Sequence, residues 1–125
     1  VGVIDVDEAP AWRVDIRGFE ANMTLVGAVA IDEESVYGGA DLLAAFVDGQ
    51  LRGVARPLQV DGTDSSLFFL MIHSNRTSGE VVRFKLYWAQ RQQIYELGQT
   101  LEFVVDSHHG SIAAPLSLAG VLAEP

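Results

Sequence analysis

At 125 residues the chain has room for one domain with a core of its own and not for two, and 49% hydrophobic against 20% charged residues is the composition of a folded protein rather than a disordered one. The lack of any cysteine excludes disulfides, thiolate nucleophiles and Cys-ligated metal centres. A formal net charge of -9 with no run of Lys or Arg argues against nucleic acid and anionic membrane as partners, and no apolar run approaches the roughly 20 residues that span a bilayer.

The first stretch, "VGVIDVDEAP", has no initiator Met, basic flank or signal-like apolar segment, and reads as the lead-in (residues 1–11) of a module cut from a longer protein. From Trp12 onward, short segments rich in Val, Ile, Leu and Phe alternate with clusters of Gly, Asp, Asn and Ser, the pattern of an all-β sandwich or barrel. Strands are predicted at Trp12–Phe19, Met23–Ile31, Leu42–Val47, Leu51–Leu58, Leu67–Ser74, Val81–Trp88, Gln93–Leu97, Leu101–Val105 and Pro115–Leu118, with residues 119–125 as a tail. "ADLLAAFV" favours helix by composition, but Gly39 and Asp48-Gly49 bound it too closely, so it is read as a strand. Asp48-Gly49 marks a tight hairpin, and "MIHSNRTSGEVVRF" a longer one ending at Gly79. The expectation is a single antiparallel β-sandwich, Ig-like or jelly-roll-like, of eight or nine strands.

Strand parity assigns side chains to faces. In "VVRFKLYW", Val82, Phe84, Leu86 and Trp88 share a core face while Arg83, Lys85 and Tyr87 share the other, and Trp88 at the strand end can project past the core toward a loop. Trp12, in step with Val14 and Ile16, reads as a core residue. Alternating connections send Asp32–Asp41, Gln59–Ser66 and the "AQRQQ" turn to one end; Glu20-Ala21, Asp48-Gly49 and "SNRTSG" go to the other, plainer end.

From Met23 to Val105 the pieces "DLLAAFVDGQLRGVA", "LFFLMI", "VVRFKLYWAQRQQIYEL" and "LEFVV" resemble β-sandwich modules of secreted bacterial multidomain proteins. More particularly the chain resembles carbohydrate-binding module family 81, accessory domains of β-glucan-degrading enzymes. The resemblance implies a secreted, non-catalytic sandwich that binds β-1,4-linked glucan and holds a linked glycoside hydrolase near its substrate. Trp88 and "AQRQQ" depart from the broader run of such modules, which have a small or acidic residue followed by a Ser, Thr and Gly-rich turn.

A glucan site needs a flat apolar face for the C–H side of a pyranose and polar groups for its hydroxyls. Trp88 is the candidate platform, with Tyr37 or Tyr87 beside it; Gln90, Arg91 and Gln93, joined by Asp32 and Glu34 from the acidic loop, are the candidate hydrogen-bonding groups. One indole face contributes about 2 to 3 kcal/mol, so a single platform binds weakly. Asp41, Asp61 and Asp64 are candidate calcium ligands, although no EF-hand spacing is present.

Enzyme motifs are missing: there is no G-x-S-x-G, P-loop or dinucleotide fingerprint, and adjacent His108 and His109 in "DSHHGS" would point to opposite faces of an extended chain. The two N-x-T sequons, at Asn22 and Asn75, matter only in a eukaryotic secretory setting. The expected partners are a β-glucan and a catalytic domain in the same polypeptide. The alternative is an extracellular interaction or spacer module of an adhesin or cell-surface protein, with calcium as its stabilising ion.

Overall fold

The computed structural model describes residues 3–5, 12–14, 16–31, 34–36, 40–60 and 66–120. Among them lie eleven strands: β1 (Val3–Asp5), β2 (Ala21–Ile31), β3 (Glu34–Val36), β4 (Leu42–Val47), β5 (Gln50–Ala55), β6 (Pro57–Gln59), β7 (Ser66–Ser74), β8 (Ser78–Trp88), β9 (Gln93–Val104), β10 (His108–His109) and β11 (Leu116–Gly120). One sheet runs β1-β9-β8-β4-β5; the other is built on β2, β7 and β6, with β3, β10 and β11 also pairing β2. The molecule is an all-β sandwich, as expected, with one departure: β10 and β11 run parallel to β2, while the other pairs are antiparallel.

Alternation explains the core. β2 buries Met23, Leu25, Val29 and Ile31, β7 buries Phe68, Leu70 and Ile72, and β8 buries Val82, Phe84, Leu86 and Trp88, while the residues between them stay more open for most of each strand's length. These rows meet Leu43, Ala45 and Val47 of β4 and Tyr95, Leu97 and Phe103 of β9 between the sheets. Fully burying side chains of this size stabilises the fold by about 1.5 to 3 kcal/mol each. Asp48 (φ 49°) and Gly49 (φ 80°) supply the two left-handed residues of the β4–β5 turn, as the Asp-Gly pair predicts.

Four expectations are corrected. The segment predicted as a strand from Trp12 to Phe19 instead holds a 3-10 turn at Ile16–Gly18, which the Asn75 amide secures by donating to the Gly18 carbonyl (2.9 Å) and accepting from the Glu20 N–H (3.0 Å). Trp12 packs edge-on against Phe46 (centroids 5.8 Å), which faces away from the core, so it covers the outside of the first sheet. The predicted Leu51–Leu58 strand breaks at Arg56, and Pro57 opens β6 in the other sheet, because the residue before proline is restricted and proline cannot donate to a ladder. The predicted strands on either side of Gly98 are a single strand, β9, whose register against β8 shifts near Gly98; that glycine marks a bulge.

Candidate functional site

The connections between strands gather at the two ends of the sandwich. At the first, Ile31, Leu42, Gln59, Ser66 and the 89–92 turn converge, as the strand directions predict. The Ala89 N–H donates to Asp41 Oδ1 (2.8 Å), tying the approach to β4 to the turn after β8. Gln92 adopts φ 51° there, and Gln90 and Arg91 are exposed.

Trp88 is no open platform. Its side chain is only 4% exposed and packs with Tyr95 (5.9 Å between rings, tilted 52°) in the core, while the Arg91 guanidinium carbon lies 4.7 Å from the ring centre. The inward parity of β8 prevails, and Arg91 engages the indole by a cation–π contact. Tyr87 is also buried, on the outer face, where its register partners are Leu42 and Ile94. Gln93 accepts the Tyr95 hydroxyl hydrogen (2.5 Å), so that amide oxygen is already engaged. Glu34 is exposed on β3; Asp32 and Tyr37 lie outside the described residues.

Of the calcium candidates, Asp41 is buried and accepts a backbone hydrogen, and Asp61 and Asp64 lie outside the described residues. Among the described residues no group of three or more His, Asp or Glu side chains is placed to hold a metal ion. His108 meets Thr24 on the outer face (2.5 Å between Nδ1 and Oγ1), and His109 sits 3.4 Å from Ser107 Oγ, so the two rings do not chelate together.

The opposite end, which the sequence marks as plain, holds a cleft of about 620 Å³. It lies between Arg13, Val14, Gly18 and Phe19 ahead of β2, the start of β5, and the β7–β8 connection with Glu80. A part-buried ion pair forms its floor: Arg52 Nη1 and Nη2 donate to Glu80 Oε1 and Oε2, each at 3.0 Å. Arg52 Nε donates to Gln50 Oε1 (2.9 Å), Nη1 also reaches the His73 carbonyl (3.2 Å), and the Ser74 hydroxyl donates to Glu80. The bridge therefore links β5 and β8 within the first sheet, and the contacts with His73 and Ser74 tie it to the end of β7 in the second.

Two β-bulges aim this pair. In the β4–β5 ladder Ala45 pairs Gly53 while Phe46 pairs Leu51, leaving Arg52 as the extra residue. In the β8–β9 ladder Ser78 pairs Val104 and Val81 pairs Glu102, so β8 carries one extra residue across Gly79-Glu80, with Gly79 at φ 94°. An extra residue turns its side chain out of the regular alternation. Arg52 also lies 5.3 Å from the centre of the Phe19 ring, which stacks on His73 (6.1 Å, 27°).

The electrostatics follow from these contacts. The Arg52 hydrogen bonds hold the Glu80 carboxyl below the usual carboxylate range, ahead of the opposing effect of burial, and desolvation lowers His73. Arg13 and Arg76 line the cleft, both exposed, and neither guanidinium has a hydrogen bond or ion pair among the described residues. Phe19, Val14 and Leu51 give apolar wall, while Gln50 and Asn75 add amides. The lining is thus mixed, of ligand-site size, and carries two exposed cations, of which Arg76 also helps to lower Glu80. None of the ligand candidates read from the sequence lines this cleft, and Asn75 enters there only as a sequon; the one available signal is the arginine in "QLRGVA" beside a Gly-ended hairpin.

No family model, curated protein or solved structure matches the chain.

Proposed function

We propose that the chain is a non-catalytic carbohydrate-binding module that holds a soluble β-linked glucan chain and, as part of a longer secreted protein, keeps a linked glycoside hydrolase near its substrate. The observation that carries this reading is the cleft beside Arg52: apolar wall from Phe19, Val14 and Leu51 faces amide and guanidinium groups that can bond sugar hydroxyls. Tethering through such a module raises local polymer concentration at the linked domain without breaking a bond. Gln90 and Arg91, exposed at the other end, make a secondary contact for a long chain.

The test is native electrophoresis of the chain in gels cast with hydroxyethylcellulose, xyloglucan, mixed-linkage glucan, xylan or mannan. Retardation in the β-glucan gels is expected; equal mobility in all gels would remove the reading. A second reading, an interaction or spacer module, is favoured by one feature. Leu58, Phe69 and Met71 are exposed apolar side chains on β6 and β7 of the second sheet, away from the core. Normal mobility in every gel would bring that reading forward.

A further inference from the structure

Eight Lys and Arg residues stand against 17 Asp and Glu in this chain, yet three of the eight, Arg13, Arg52 and Arg76, line one cleft in which Glu80 is the one carboxylate among the described residues. Glu80 is fully engaged by Arg52 and Ser74, so the pair forms a neutral, fixed floor. Arg13, ahead of β2, and Arg76, in the β7–β8 connection, are exposed, and among the described residues no hydrogen bond engages either guanidinium. A neutral sugar hydroxyl accepts single hydrogen bonds from such guanidinium groups and offers them no opposite charge. A carboxylate adds the opposite charge and accepts two parallel hydrogen bonds from the planar fork of either one.

We propose that this cleft selects an acidic saccharide, a β-linked chain with uronate units, whose carboxylate is held between Arg13 and Arg76 while the sugar ring lies along the Phe19 wall. The proposal rests on the carbohydrate-binding reading and narrows its ligand. The net charge of -9 sharpens it, because the molecule as a whole repels a polyanion and any affinity for one must come from a local cationic site. Arg52 has a positioning role here: its ion pair holds β5 and β8 together beneath the ligand, and its guanidinium backs the Phe19 ring.

The experiment is calorimetric titration of the whole chain with cellotetraose, with a β-linked glucuronate-bearing oligosaccharide of the same length, with a sulfated oligosaccharide of matched charge, and with a Glu-rich peptide. The uronate ligand is expected to bind about tenfold or more tightly than cellotetraose. Arg13→Gln/Arg76→Gln is expected to abolish that preference with its thermal midpoint retained, and Arg76→Lys to weaken it, since a point charge lacks the planar fork. Equal affinity for cellotetraose and the uronate ligand would overturn the acidic preference and leave the carbohydrate reading standing. Tight uronate binding that survives the double substitution would overturn the cleft assignment. Sulfated ligand bound as tightly as uronate would overturn carboxylate selectivity. Binding of the peptide alone would overturn the saccharide, and binding of none of the four would end both readings.

Discussion

At the residue scale, the Arg52–Glu80 pair and Trp88 both hold the fold, one by charge and the other by packing. Removing one member of a part-buried ion pair leaves the other charge poorly compensated, so Arg52→Ala is expected to destabilise the fold by about 1 to 3 kcal/mol, less than a fully buried pair would, read from the denaturant midpoint at constant slope. Acid acts on the same cluster. Glu80 and His73 both have folded-state pKa values below their ordinary ones, so the unfolded chain binds protons first and stability falls as pH drops. The His73 share is present above its ordinary value of 6.5 and is lost as pH falls below it; the Glu80 share is lost only below the ordinary carboxylate range. A two-step decline in thermal midpoint between pH 7 and pH 3 is expected, and Glu80→Gln should remove the lower step. Trp88 is a packing residue, and its truncation to Ala is expected to cost about 3 to 5 kcal/mol, whereas Arg91→Ala should cost under about 1 kcal/mol. Loss of ligand binding in a Trp88→Ala protein would therefore report unfolding unless circular dichroism is native.

At the element scale, most strands were legible because periodicity and turn chemistry agree. Leu42–Val47 is bounded by Gly39 and Asp48-Gly49 and forms a strand over that range despite its helix-favouring Ala and Leu, since pairing on both sides outweighs propensity. What the sequence hides are the irregularities that build the cleft. A bulge leaves no mark on composition at Arg52, and Gly79 reads equally as a loop end. The strands β1, β3 and β10 are two or three residues long and carry no period to detect. Gly53, the neighbour of the bulged arginine, has a role that only packing reveals: a Cβ there would fall on the Met71 carbonyl oxygen of β7, where the two sheets approach. Gly53→Ala is expected to destabilise by about 2 kcal/mol or more, and a native denaturant midpoint would show that the sheets yield more easily.

At the scale of the whole molecule, the direction of each strand was readable, so the gathering of the 32–41 and 89–92 connections at one end followed from the sequence, as the Ala89–Asp41 hydrogen bond reflects. The functional weight of that end did not follow. Aromatic and amide content drew attention to Trp88 and Tyr87, but both are 4% exposed, and parity had already placed Trp88 inward. The cleft escaped notice because its residues come from four separate stretches, around 13–19, 50–52, 75–76 and 80, which only the closed sandwich brings together. The most direct test of where ligand sits is an amide-resolved NMR titration of the chain with a β-linked uronate-bearing oligosaccharide. Saturable shifts confined to Val14, Phe19, Gln50 to Arg52, Asn75 and Arg76 are the expected result; shifts confined to residues 89–93, with the cleft unmoved, would contradict it.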